Sequence, residues 1–245
     1  MTMTIASLWR HPIKAVGREA VSEAALSPGE TFPGDRLWAI LHEAGTAVDG
    51  EWSRCPNFIR AASSPALMAV EAKSVGDRIE LRHPDRPTIT VDPVADETTL
   101  IDWLTPLVGE GRAAPVKVVR SGARGMTDAQ EPTISVGNLA SLRDLSERAG
   151  TDLSEHRFRC NVWLDGLAPW EEFEWVGKSL RLGTSQVEVI ERIGRCQSTA
   201  ASPETGERDV RTLDVLDTFG HRDFTVGVVV KAPGTLKLGD TAVLA

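Results

Sequence analysis

Leu180 to Thr199 reads LRLGTSQVEVIERIGRCQST, and the fold is decided by this stretch. Leu180–Leu182 and Gln186–Ile193 read as strands, because short runs with β character bounded by turn residues are their usual signature. Downstream, Phe224–Val230, Thr235–Leu238 and Ala242–Leu244 have the same character, with a short helix over Thr212–Phe219 between them. Upstream lies the strand Asn161–Leu164, and before it the clearest helix of the chain, Asn138–Gly150. Asn138 can cap its start, Leu139, Leu142 and Leu145 form one stripe, and Gly150 sits where a left-handed C-terminal residue belongs. Further upstream, Thr4–Trp9, Arg36–His42, Ala66–Ala72 and Arg78–Arg82 are short strand-like runs punctuated by Gly, Pro and Asp. Glu43-Ala44-Gly45 reads as a turn, and Pro84–Pro93 as an edge strand or loop, since prolines cannot donate to a ladder. Ala95–Val108 has a helical period that Pro106 should end or kink. Many short strands with few helices predict a mainly β protein built of barrels or a sandwich rather than βαβ units. The polar stretch Ser121–Pro132 reads as a linker between two domains, 1–120 and 121–245.

Composition narrows the function. The chain has 245 residues, with 27 Lys+Arg against 35 Asp+Glu and a formal net charge of −8. That argues against a general nucleic-acid binder, though a local basic pocket remains compatible. No apolar run approaches the ~20 residues of a membrane helix, and Met1–Lys14 has no secretory h-region. Cys55, Cys160 and Cys196 are widely spaced, with no CxxC pair for a zinc ribbon, a thioredoxin site or an iron–sulfur cluster. The cytoplasm is the expected compartment.

The residue with the most chemistry is Cys196, in Ile193-Gly194-Arg195-Cys196-Gln197-Ser198-Thr199 at the end of a strand. The adjacent arginine favours a thiolate, the form that ligates metals or attacks electrophiles. The competing reading is a buried structural thiol, the usual role of a free cysteine. Arg159 and Asn161 flank Cys160. If Asn161 starts a strand, the two share a face and could grip a phosphate or a heterocycle edge; alternatively they are a surface arginine and a turn asparagine. Lys14 and Arg36 stand at the borders of strands, where Asp35-Arg36 could be a simple salt bridge. None of His11, His42, His83, His156 and His221 has zinc-site spacing, and no GxGxxG or Walker loop is present. A Cys196–His221 hydrolase pair remains open on the residues alone.

Five stretches together resemble one family. His11-Pro12-Ile13-Lys14 is similar to YPIKS, Gly34-Asp35-Arg36-Leu37-Trp38 to GDRxW, and Phe158-Arg159-Cys160-Asn161 to FRPN. Arg195-Cys196-Gln197-Ser198-Thr199 followed by Ser202-Pro203-Glu204-Thr205-Gly206 is similar to RCxxTTVDPxTG, and Pro233–Asp240 to PGTIKVGD. In order and spacing these resemble the MOSC-domain proteins with a MOSC N-terminal β-barrel domain, as in the amidoxime-reducing-component group. The resemblance implies an N-terminal β-barrel domain plus a MOSC β-barrel domain.

It also implies a molybdenum cofactor (Mo-pyranopterin) with Cys196 as catalytic residue and metal ligand. Lys14, Arg36, Arg159 and Arg195 would surround the pterin phosphate and ring, with Asn138, Asn161 and Thr199 as further cofactor-binding positions. The implied activity is a molybdenum-dependent oxidoreductase that reduces small N-hydroxylated substrates by two-electron oxygen-atom transfer. Electrons are expected from an external ferredoxin- or flavoprotein-type partner, because the sequence has no cysteine cluster of its own. The alternative is a non-catalytic cofactor or sulfur carrier using Cys196. Four positions depart from the family pattern: Ala15 stands for serine, Cys160 for proline, Gly194 for serine and Gly227 for tyrosine.

Overall fold

The computed structural model describes residues 3–122 and 124–244. In chain order the first elements are β1 (Met3–Arg10), β2 (Glu19–Ala20), β3 (Glu23–Leu26), β4 (Trp38–His42), β5 (Glu71–Val75), β6 (Arg78–His83), β7 (Arg86–Val91), α1 (Glu97–Val108) and β8 (Pro115–Arg120). Then come β9 (Ile134–Asn138), α2 (Leu139–Ala149), β10 (Val162–Asp165), β11 (Ser179–Leu182), β12 (Ser185–Gly194), α3 (Thr212–Asp217), β13 (Asp223–Ala232), β14 (Gly234–Lys237) and β15 (Thr241–Leu244).

Seven strands close on themselves in the order β10-β9-β13-β12-β11-β15-β1, with β1 pairing back to β10. All contacts are antiparallel except β9 with β10. The closing stave comes from the very start of the chain, and β3 pairs with β14. A division at residue 120 therefore separates chain segments but not hydrogen-bonded units. Inside the barrel, Ile5, Leu8, Val136, Leu164, Val187 and Val228 share one apolar core.

The weak alternation of β1 has a structural cause. Strict period-2 patterning would put Ile5 and Ser7 on one face. A register shift between Ile5 and Ser7 resets the phase, so Leu8 also points inward.

The remaining N-terminal strands form the β4–β8 pair and the β5-β6-β7 meander, with α1 packed over them through Trp103, Leu104 and Leu107. Pro84–Pro93 is the expected edge strand, β7, and Pro106 lies in the last turn of α1. The Ala66–Ala72 strand is a correction: Pro65–Ala69 is a 3₁₀ turn, and extended backbone starts only at Glu71. Proline at its first position presets helical φ, and Leu67, Met68 and Ala69 are buried on the turn. The Arg36–His42 strand starts later, at Trp38, because Arg36 takes a left-handed φ of 52°. The helix α2 is as expected: Asn138 Oδ1 accepts from Ala140 N at 2.8 Å, and Gly150 closes it at φ 71°.

Candidate functional site

A cavity of about 480 Å³ lies between the outer face of the barrel and the N-terminal half. That is the size of a small-molecule or cofactor site. Its lining has seven basic side chains, Lys14, Arg36, Arg60, Arg157, Arg159, Arg192 and Arg195, against two acidic ones, Asp128 and Glu191. Lys14, Arg36, Arg157 and Arg192 pair with carboxylates, so the cations of the lining without an ion-pair partner among the described residues are Arg60, Arg159 and Arg195, a local positive charge in a chain of net charge −8 that suits an anion.

Backbone strain converges on the same place. Of the five non-glycine residues with left-handed backbone among the described residues, Ala15, Arg36 and Arg159 line the cavity. Such conformations cost about 1–3 kcal/mol each and persist where the surroundings enforce them. Arg36 is held by its own backbone, whose N–H donates to His11 O at 2.7 Å and whose C=O accepts from Met126 N at 2.7 Å. Its guanidinium pairs with buried Asp35 and donates to Arg159 O at 3.0 Å. Asp35 is only 1% exposed and also accepts from His11 N at 2.7 Å and from the His11 ring at 3.0 Å. Burial raises the Asp35 carboxyl, but the Arg36 cation and the His11 bonds outweigh it and hold the pKa below the usual range. His11 stays neutral, its pKa lowered to about 3 first by burial and then by Arg159. The Asp35-Arg36 pair is thus an internal brace for Arg36, not an exposed strand-end bridge.

Arg159 closes a 3₁₀ turn, Glu155–Phe158, and donates to Ile13 O at 3.2 Å and Gly17 O at 3.1 Å. Because it is left-handed, it shares no strand face with Asn161; the strand begins at Val162. Burial, then the neighbouring Arg36 cation, pulls its pKa down to about 9. An anion placed between Arg36 and Arg159 would relieve that repulsion. Lys14 Nζ donates to Met126 O at 2.7 Å and to Asp128 at 2.6 Å.

The candidate residues do not all have the same part. Lys14, Arg36, Arg159, Asn161, Arg195, Cys196 and Thr199 are brought together around the cavity. Asn138 is not: its side chain is fully buried and binds Ala168 O and Glu172, so it caps α2 and holds a buried carboxylate. Asn161 is only 1% exposed, with its oxygen bonded to Ser135 and its amide to Trp9 O. Arg195 donates to Phe158 O at 2.9 Å and, through Nε, to Phe224 O at 2.7 Å; it also reaches the Thr225 hydroxyl. Thr199 donates to Cys196 O at 3.0 Å. These last two fix the loop that carries Cys196.

Cys196 itself is exposed at the start of the turn Gln197–Ala200, with Sγ 3.2 Å from Ser198 Oγ. The buried-thiol reading belongs instead to Cys160, which donates to Ser135 O and whose pKa burial pushes up to about 12. Cys55 is half-buried on the opposite cavity wall, its thiol pKa raised by burial and by Asp128.

Sequence reasoning missed several lining residues. Thr127, Asp128 and Ala129 fall in the expected linker, which is a wall of the cavity. Arg157 carried no local signal; it pairs with Asp209 at 2.8 Å while its Nε has no hydrogen-bond partner. The Thr127 hydroxyl is also buried without a partner. Unpaired buried polar atoms on a cavity wall point to a ligand that completes them. Among the described residues, no group of three or more His, Cys, Asp or Glu could hold a metal by protein atoms alone. A metal held beside Cys196 would need most of its ligands from a cofactor.

These features define a β-barrel protein with an electropositive, thiol-bearing ligand pocket. The chain belongs to the MOSC family: residues 2–106 match the MOSC N-terminal beta barrel domain and residues 124–243 the MOSC domain. It is 21% identical over 295 residues to the human mitochondrial amidoxime-reducing component 1, covering 98% of this chain and 82% of that protein. It is 22% identical over 246 residues to the molybdenum cofactor sulfurase of Caenorhabditis elegans, covering 93% of this chain but only 33% of the sulfurase. Among solved structures, the YUAD protein from Bacillus subtilis covers 99% of this chain and 94% of its own, with a TM-score of 0.47 and 11% identity. Among the described residues, no helix is long and apolar enough to cross a membrane.

Proposed function

We propose that this chain holds a molybdenum cofactor in the cavity, with the Cys196 thiolate as its protein ligand, and reduces small N-hydroxylated substrates. The observation that carries the reading is Cys196 itself: of three cysteines it alone is exposed, and it faces a cavity lined by seven basic residues. A soft thiolate suits molybdenum, and the cations suit the anionic phosphate and ring of a pyranopterin. The relatives named for amidoxime reduction and for the molybdenum cofactor support the same chemistry.

When bound, the cofactor supplies two-electron oxygen-atom transfer. The chain supplies position and charge. Arg36 and Arg159 attract the anion, and Asp35 keeps Arg36 aimed. Lys14 anchors the 126–128 wall through Met126 O and Asp128. Arg195 and Thr199 hold the loop so that Sγ stands at the cavity, where the Ser198 hydroxyl can donate to the thiolate. Arg157 Nε and the Thr127 hydroxyl have donors free for the ligand. Reducing equivalents come from a separate ferredoxin- or flavoprotein-type protein, and the cytoplasm is the proposed compartment.

The test is molybdenum and pterin analysis of freshly purified protein, followed by turnover of an N-hydroxy substrate with a chemical one-electron donor. Equimolar metal and pterin with donor-dependent turnover is expected. Cofactor without turnover would leave the carrier alternative. Absence of both metal and pterin, or turnover with NADH alone, would refute the reading.

A further inference from the structure

Lys14 is a buried cation, 6% exposed, in the wall of the cavity. A buried ammonium is costly unless an anion stands beside it. Among the described residues its one ion-pair partner is the Asp128 carboxylate at 2.6 Å, and its other hydrogen bond goes to Met126 O at 2.7 Å. A further N–H of the ammonium has no protein partner among these residues.

The carboxylate is the movable half of this pair. Lys14 is buried, whereas Asp128 is exposed and projects from residues 127–131. Among the described residues, no backbone–backbone hydrogen bond ties that segment to a strand or helix. Side chains pin it instead. Trp52 Nε1 donates to Thr127 O at 3.0 Å, and Arg124, 4.1 Å over the Trp52 ring, donates to Ala129 O.

A second group in the segment points to a ligand. The Thr127 hydroxyl lies between the two residues that Lys14 binds, is only 7% exposed at the cavity wall, and has no hydrogen-bond partner. Asp128 serves the ammonium but not this hydroxyl. A tetrahedral oxyanion, with several acceptor atoms, can serve both. Cys55 reports on the exchange. It lines the same cavity, and Asp128 beside its thiol helps hold it in the protonated, slowly alkylated form.

We propose that Asp128 is a built-in competitor for the ligand anion: its carboxylate holds Lys14 until a phosphate-type oxyanion displaces it, and residues 127–131 then shift off the cavity wall beside Cys55. The inference rests on the proposed function, because the displacing anion is the phosphate of that cofactor. Binding of the anion therefore loosens one wall while it fills the cavity, and the internal pair lowers the anion's apparent affinity by the fraction of protein in which Lys14 is free.

The experiment uses the full chain produced in a host without pyranopterin synthesis. Inorganic phosphate is titrated by calorimetry, and iodoacetamide labelling of Cys55 is followed by peptide mass spectrometry. Wild type should bind phosphate, and its Cys55 labelling should speed up several-fold at saturation. Asp128→Asn should bind phosphate about 10-fold more tightly. Lys14→Gln should lose both the binding and the Cys55 response. The proposal is overturned if phosphate does not bind, if Asp128→Asn binds it no more tightly than wild type, or if phosphate leaves Cys55 labelling unchanged or slows it. Undiminished phosphate affinity in Lys14→Gln overturns it as well. Failure of the preceding reading shows separately, as missing molybdenum in protein from a host that makes the pterin.

Discussion

Arg195→Ala should behave as a folding variant rather than a binding variant. The guanidinium serves three acceptors inside the protein: Phe158 O at 2.9 Å, Phe224 O at 2.7 Å, and the Thr225 hydroxyl. It also lies 5.7 Å over the Phe158 ring. Thr225 has a left-handed φ of 70°, a strained choice for a β-branched residue, and the Arg195 contact helps hold it there. Alanine leaves two carbonyls and a hydroxyl without their donor. At about 1–3 kcal/mol per unpaired buried group, and with incomplete additivity, the loss is on the order of 3–5 kcal/mol. In a chain of this size about 1 kcal/mol moves the midpoint by ~2–4 °C, so Tm should fall by about 10 °C. The assay is thermal unfolding of exhaustively dialysed protein, which keeps ligand linkage out of the comparison. Arg195→Lys, retaining a donor, should recover part of the loss. An Arg195→Ala protein melting within about 2 °C of wild type yet unable to retain ligand would refute this, and return Arg195 to the cofactor.

Arg159→Ala should cost stability too, because its guanidinium donates to Ile13 O and Gly17 O, but it should also lower molybdenum retention, by roughly 10- to 100-fold in affinity, since charge-assisted contacts to a phosphate are worth about 1.5–3 kcal/mol. Full molybdenum content after prolonged dialysis of this variant would show that Arg159 does not hold the cofactor. Acid should destabilise the fold. His11, with a pKa lowered from 6.5 to about 3, stays neutral when folded but takes up a proton when unfolded, so stability falls as pH drops from 6.5 towards 3. The slope is at most about 1.4 kcal/mol per pH unit for this group. His156, its pKa lowered to about 4 mainly by burial, acts in the same direction but less, because it is partly exposed. Urea midpoints across this range should decline for wild type and decline less for His11→Asn; a flat profile for wild type would contradict the buried neutral histidine.

What the sequence made legible was local: strand character in β10 to β15, the capped helix α2, and the proline-broken edge strand β7. What it hid required partners. The phase of β1 and the outward turn of Glu191 both depend on bulges set by neighbouring strands, which period-2 patterning cannot anticipate. The 3₁₀ turn at Pro65–Ala69 has strand-like apolar residues, and its burial against α1 decided the outcome. At the site, the family resemblance pointed to Lys14, Arg36, Arg159 and Cys196, which line one cavity, but not to who bonds to whom. Asn138, Asn161, Arg195 and Thr199 are polar residues near the right stretches whose hydrogen bonds are taken up inside the protein. Thr127 and Asp128 sit in a segment whose polarity resembles a linker, because only tertiary contacts with Trp52 and Lys14 turn it into a wall.

The central claim is that Cys196 is the protein's sulfur ligand to molybdenum. X-ray absorption at the molybdenum edge measures it directly, on wild type and on Cys55→Ser, Cys160→Ser and Cys196→Ser. Loss of one sulfur scatterer, together with loss of turnover, is expected in Cys196→Ser alone, while the cations of the cavity still retain metal and pterin. An unchanged spectrum in Cys196→Ser, or the same loss in folded, cofactor-loaded Cys160→Ser, would contradict it.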